Sequence, residues 1–383
     1  MQSPHIATYI QELHLEVRSD DNIWIHRNPS FLKAMDQLLR GNRPLEKLTL
    51  SGRGWPQQLA DPQGFLDGFG RPFISPFVTS LHIKGMHNVP IRMIQECVNL
   101  SDLILSGADL ECDSRSNPSR HHVPRPRLRR LQYFESHGAI DKLTGKRLTY
   151  HPIHLSTLRA LTIYTDQIDD ILCAQSIIRA TNSLEELYLE AQESTSTPPR
   201  NLNSTSPLHS FHLPQLNITP IPEKYVSLEG VIDVERTNLR ILRVNVVFGS
   251  SEDERLFGII SILKTVPAVN SLQSFSLSVY VGFAAEVSPE SLLDADWESL
   301  AAQIRKISSG NTLAFQLLFH FFDKENTSSR RKVQNRRMKI VRTLCANEVR
   351  KLVKERLRIL RRDPAITLST DFNVVYRDAS CIR

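Results

Sequence analysis

The chain is poor in the residues from which reactive centres and covalent frameworks are built. Its five cysteines, Cys97, Cys112, Cys173, Cys345 and Cys381, are scattered, odd in number and never form a CxxC pair. That spacing argues against a zinc ribbon or a disulfide framework and suits a reducing compartment. No apolar stretch approaches the roughly 18 residues that span a bilayer; LAFQLLFHFF, from Leu313 to Phe322, is too short. The opening MQSPHIATYIQELHLEV lacks the basic-then-apolar layout of a leader. A cytoplasmic or nuclear protein without a membrane span is therefore expected. Glycine is never grouped ahead of a helix and a lysine: Gly52-Arg53-Gly54 and Gly68-Phe69-Gly70 stand alone, so no phosphate cradle is expected. Nucleophile-elbow, zinc-protease and active-site-cysteine motifs are missing. Histidines are present, but His121-His122 and His151-Pro152-Ile153-His154 have no Cys or carboxylate at ligand spacing. Asp169-Asp170 reads as a helix start rather than a catalytic carboxylate pair. No enzyme, no cofactor and no metal is the expectation.

What the chain does have is an ordered recurrence of leucine. An apolar residue, two variable residues, Leu or Phe, one variable residue and another apolar residue form a phrase that appears ten times. It reads Ile10–Leu13–Leu15, Leu45–Leu48–Leu50, Val78–Leu81–Ile83, Leu100–Leu103–Leu105 and Leu128–Leu131–Tyr133. It continues as Leu158–Leu161–Ile163, Leu184–Leu187–Leu189, Leu208–Phe211–Leu213, Leu239–Leu242–Val244 and Leu272–Phe275–Leu277. An LxxLxL phrase at such intervals is the signature of leucine-rich repeats, each phrase supplying one short strand of a curved parallel sheet. The expected fold is α/β: an irregular leucine-rich-repeat solenoid over residues 4–323, of about ten to eleven repeats, with the sheet on the concave face and helices and loops on the convex one. A solenoid also accommodates 383 residues, more than one compact core usually holds.

Helices are expected between the phrases. Ser30 caps FLKAMDQLLRG, Pro90 opens PIRMIQECV, and Asp166–Ala180, Glu252–Val266 and Asp294–Ile307 begin with acids at the positive helix end. Two Pro/Ser/Thr-rich stretches, 111–127 and 191–207, read as excursions from repeat junctions. Residues 138–152 suggest a small hairpin, Leu313–Phe322 one more strand, and TLSTDFNVVYRD a last one. Between Arg330 and Arg362 fourteen Lys or Arg face two acids, Glu348 and Glu355. Residues 330–383 are therefore read as a basic C-terminal helix and cap, with Val341, Cys345, Val349, Leu352 and Leu360 on one face. Its first basic patch is Arg330, Arg331, Lys332, Arg336, Arg337 and Lys339. Three roles stay open for this helix: an end cap, a nuclear or nucleic-acid patch, and an amphipathic membrane-surface or calmodulin-type helix.

Side chains alternate along a strand, so the residue between the last two apolar positions of each phrase faces outward on the sheet. Ten strands about 4.8 Å apart give a face on the order of 45 Å long, suited to a protein or peptide and too open for a small substrate. The candidate protein-binding residues are His14, His82, Gln132, Phe134, Tyr164, Tyr188, His212 and Arg243, with the three aromatics as anchors.

The segments SPHIATYIQELHLEV, FLKAMDQLLRGNRPLEKLTLSG and VTSLHIKGMHNVPIRMIQECVNLSDLILSGADL resemble the repeat region of F-box/leucine-rich-repeat proteins of mushroom-forming fungi, over Ser3 to about Leu277. In that family an N-terminal F-box docks the Skp adaptor of a cullin ubiquitin ligase and the repeats select the protein to be ubiquitinated. The resemblance implies substrate recognition for a ubiquitin ligase, or an orphaned remnant of that role. No F-box-like segment precedes the first phrase here, so Skp docking is not expected of these residues. The repeat asparagine is also replaced, by Arg18, Arg53, Met86, Ala108, Ser136 and Asp166 in the first six copies, which implies variable turns. The alternative is a nuclear or nucleic-acid-associated protein acting through the basic helix.

Overall fold

A computed structural model describes residues 10–17, 23–39, 45–53, 57–112, 124–144, 152–165, 168–191, 232–248, 255–283, 295–323, 347–351 and 353–374. Eleven strands form one open, all-parallel sheet, and their order in space is their order in the chain. They are β1 (Glu12–Val17), β2 (Lys47–Gly52), β3 (Ser80–Lys84), β4 (Asp102–Ser106), β5 (Arg130–Phe134) and β6 (Ala160–Thr165). The others are β7 (Glu186–Ala191), β8 (Ile241–Phe248), β9 (Ser274–Phe283), β10 (Leu313–Asp323) and β11 (Ile366–Val374). Nine of the ten phrases fall on β1 to β9. The eighth, with His212, lies outside the described residues; among the described strands, β7 pairs with β8. The two further strands read at Leu313–Phe322 and in TLSTDFNVVYRD are β10 and β11.

The register explains why leucine recurs. Leu48, Leu81, Leu103, Leu131, Leu161, Leu187, Leu242, Phe275 and Phe315 sit side by side across the sheet. All are at most 2% exposed. The third phrase position makes a second buried row, from Leu15 through Tyr133 to Leu317. One hydrophobic core joins both rows to the helices. Ahead of each strand, the carbonyl of one residue accepts two amides from the next repeat: Glu46 O takes the N–H of Thr79 at 2.9 Å and of Ser80 at 3.0 Å. The same step recurs from Gln11 O to Arg240 O, so the ladder is continued one residue beyond the strands.

The longer helices are α1 (Pro29–Leu39), α2 (Ile91–Glu96), α3 (His137–Thr144), α4 (Ile168–Ala180), α5 (Arg255–Thr265) and α6 (Trp297–Ser308). Asp169 and Asp170 do lie in the first turn of α4, where carboxylates complement the helix dipole. Three local expectations need correction. Asn28, not Ser30, caps α1: its Oδ1 accepts the amides of Ser30 at 3.0 Å and Phe31 at 3.1 Å, because Pro29 has no N–H and takes the first helical place instead. Pro90 is extended, at ψ 122°, and caps α2 from outside. Of the hairpin expected over 138–152, residues 138–144 belong to α3 instead, since Ala139, Ile140 and Leu143 recur at helical spacing and all three are buried; 145–151 lie outside the described residues.

Between β2 and β3 the short helix Pro62–Phe65 runs into a π-helical stretch, Leu66–Ile74. It carries Phe65, Phe69 and Phe73 into an aromatic cluster with Phe31 and Trp24, ring centroids 5.0–6.0 Å apart. The glycines here serve packing: a Cβ on Gly68 would lie 3.0 Å from the Cβ of His26. Gly85 and Gly107 leave β3 and β4 at φ 58° and 53°, a left-handed turn that only glycine adopts without steric cost. In the missing-asparagine positions the turns are closed piecemeal. Ser136 does part of the job, its hydroxyl accepting from Ala108 N at 3.0 Å and donating to Phe134 O at 2.8 Å.

At the other end, helical residues 353–356 give way to a turn at Leu357 before the short helix Arg358–Arg361. Val349, Val353, Leu357 and Leu360 are buried, while Arg350, Lys351, Lys354, Arg356, Arg358 and Arg361 are exposed. Val349 and Leu360 thus keep their expected face; Val341, Cys345 and Leu352 lie outside the described residues. So does the basic patch Arg330, Arg331, Lys332, Arg336, Arg337 and Lys339. Of the two excursions, Leu110–Glu111 pairs with Val89–Pro90 and Arg127 bridges His154; 113–123 and 192–207 lie outside the described residues.

Candidate functional site

The face of the sheet opposite the core is built by alternation, every second residue of each strand pointing away from the buried rows. Its middle row runs His14, Thr49, His82, Ile104, Gln132, Thr162, Tyr188, Arg243, Ser276, Gln316 and Ser369 in register. A second row, two residues on, runs Glu16, Ser51, Lys84, Ser106, Phe134, Tyr164, Glu190, Asn245, Ser278, Leu318 and Asp371. The structure therefore puts His14, His82, Gln132, Phe134, Tyr164, Tyr188 and Arg243 on one surface.

It does not bring all of them together. The three aromatics do meet: Phe134 and Tyr164 pack edge to face with centroids 6.5 Å apart, and Tyr164 and Tyr188 at 5.6 Å. Tyr188 is then locked. Its Oη donates to Glu190 Oε2 at 2.7 Å and accepts from Asn245 Nδ2 at 2.5 Å, and Asn245 Nδ2 also reaches the same carboxylate oxygen at 3.1 Å. Asn245 is itself buried. Burial and then the bond to Glu190 push the Tyr188 hydroxyl well above the usual tyrosine pKa, with Tyr164 and Tyr280 adding to the shift. Burial and Glu190 raise Tyr164 as well. These hydroxyls stay protonated, so they can donate hydrogen bonds at neutral pH. Arg243, the neighbour of Tyr188 on β8, is exposed and has no carboxylate partner among the described residues.

His14 and His82 stand at the other end. His14 Nε2 lies 2.7 Å from Ser51 Oγ. Burial, then the nearby Lys84 and His14, lower the pKa of His82. Around them charges pair across strands: Glu12 with Lys47, Glu16 with Arg53 at 3.6 Å, and Asp102 with Arg130 at 3.7 Å.

Asn245 holds the same register place as Phe134 and Tyr164, but it is not an aromatic anchor and so was not among the sequence candidates; β8 runs on past its last phrase position there. The same extension sets Tyr280 of β9 against His320 of β10, rings stacked 4.6 Å apart. A lengthened run of alternating apolar residues, Val244–Val246 and Leu277–Val279, is the signal that marks such strands.

Behind the sheet a titratable cluster gathers at the start of α4. Tyr133 Oη donates to Asp170 O at 2.7 Å, and Cys173 Sγ to Asp141 Oδ1 at 3.2 Å. Tyr133, Asp170 and Cys173 are buried, so these groups plug the turn rather than meet a substrate. Among the described residues no group of three or more His, Cys, Asp or Glu is placed to hold a metal ion. None of their helices is long and apolar enough to cross a membrane. No protein-family model matches the sequence, and comparison with curated proteins yields no match.

Proposed function

We propose that this chain is an irregular leucine-rich-repeat solenoid that recognises a protein partner on the concave face of its sheet, without catalysis. The observation that carries this is the run Phe134–Tyr164–Tyr188, locked by Glu190 and Asn245 at the middle of an eleven-strand face. Half-buried, pre-positioned aromatics surrounded by polar groups are the side chains that dominate protein interfaces, because little conformational freedom is lost when a partner covers them. A face of parallel strands one residue-row wide per repeat fits an extended peptide or a domain surface better than a small molecule. The role inferred from the resemblance, selection of a substrate for a ubiquitin ligase, is one form of this function; a Skp-type adaptor would have to bind elsewhere.

Affinity capture from the native cell tests the reading. The full chain should retain discrete proteins that the Tyr164→Ala/Tyr188→Ala double variant loses. Capture that is identical for the two would refute it. Recovery of a Skp-type adaptor and cullin with the captured proteins supports the ligase form; their absence leaves recognition without ligase targeting.

A second reading, nuclear or nucleic-acid binding through the basic C-terminal segment, is supported by the exposed row Arg350, Lys351, Lys354, Arg358 and Arg361. Against it stands the buried row Val349, Val353, Leu357 and Leu360 on the same segment, which suits an end cap for the solenoid. Charge reversal along the exposed row should abolish salt-sensitive DNA or RNA binding if the second reading holds.

A further inference from the structure

α6 and the segment Glu355–Arg362 line a half-open groove of about 640 Å³, within the range of ligand-sized clefts. Its apolar lining is Ala301, Ala302 and Ile359, of which Ile359 is 53% exposed and so open to a bound segment. Four arginines, Arg305, Arg356, Arg358 and Arg362, and two glutamates, Glu298 and Glu355, line the rest, an excess of two positive charges. Arg305 pairs with Asp363 at 3.4 Å and Arg356 with Glu298. Arg358 and Arg362 have no carboxylate partner among the described residues, although both belong to the groove wall.

We propose that this groove is a second docking site, separate from the open sheet face, for an acidic peptide segment. The segment lays an aliphatic side chain on Ile359 and Ala302 and presents carboxylates to Arg358 and Arg362. Guanidinium forks bind carboxylates in bidentate geometry, and the apolar lining gives such a peptide a hold that a free anion would not use. A nucleic-acid strand fits less well. The lining has no aromatic ring for base stacking.

Fluorescence anisotropy on the full chain tests this with a labelled peptide of about eight Glu and Asp residues around a central Leu. The Arg358→Glu/Arg362→Glu variant should bind it at least tenfold more weakly, and Ile359→Ser several-fold more weakly, while circular dichroism stays unchanged because these side chains are exposed. Binding should weaken as salt screens the charges, and Tyr164→Ala/Tyr188→Ala should leave it intact. The proposal is overturned if the wild-type chain does not bind the peptide or if charge reversal leaves the affinity unchanged. Tighter binding of a labelled oligothymidylate than of the peptide, or loss of peptide binding in the sheet-face variant, would overturn it equally.

Discussion

On β1 to β4 the outward side chains are polar except for Ile104, and their charged members pair with neighbours, as in Glu12 with Lys47 and Glu16 with Arg53 just past β2. On β5 to β8 the same positions carry Phe134, Tyr164 and Tyr188, tied down by Glu190 and Asn245. The core behind both regions is alike, Leu81 and Leu103 in one and Leu161 and Leu187 in the other. Only the face differs. Exposed ion pairs are screened and add little to stability or affinity, so the first region keeps the sheet solvated. The second holds apolar area half in water, which is worth removing from it. One backbone thus supports two surfaces, and the difference is why the proposed binding function is assigned to the second.

The largest expected effect tests the common core. Leu103→Ala on β4 and Leu242→Ala on β8 should each lower the unfolding free energy by about 2–5 kcal/mol in urea titrations. A clearly smaller loss at either site would mean that the two regions do not share one packing scheme. Next comes the lock. Asn245→Ala removes a buried donor from Tyr188 and Glu190 and should cost about 1–3 kcal/mol, with much less for Thr49→Ala on the charged side; differential scanning calorimetry separates them.

The two regions should also differ in their response to pH. Tyr188 and Tyr164 have folded-state pKa values above the ordinary 10.0, so their contribution is complete below pH 10 and is lost as pH rises beyond it towards the folded value. Tyr188→Phe should flatten that alkaline decline in melting temperature. His82 has a pKa depressed below 6.5, so its contribution is present above 6.5 and is lost as pH falls through the depressed value. His82→Gln should flatten the acid limb. Smallest of all, Glu12→Ala/Lys47→Ala should leave the melting temperature unchanged within error, since both side chains are more than half exposed.

The strand ladder was legible because a period of two in each phrase and one phrase per repeat leave a single way to bury Leu48, Leu81, Leu103 and their successors. Phe134, Tyr164 and Tyr188 could be placed on one face for the same reason. What stayed hidden depends on contacts between distant residues. Nothing near Asn245 announces Tyr188, which lies 57 positions away. The π-helical stretch Leu66–Ile74 contains Gly68, Gly70 and Pro72, residues that locally oppose a helix; the aromatic cluster with Trp24 and Phe31 outweighs them. The stretch from Gly138 read as the start of a hairpin, although Ala139, Ile140 and Leu143 give α3 its buried side. The groove beside α6 arises only when Arg358 and Arg362 are brought against Ala301 and Ala302 by the fold.

Photocrosslinking tests the central claim most directly. A benzoylphenylalanine placed at position 243, beside Tyr188, or at position 132, beside Phe134's strand end, should give adducts with a captured protein. The same group at position 47, on the charged region, should give none. Adducts from position 47 alone, or none from 132 and 243 while capture persists, would contradict the assignment of binding to β5–β8.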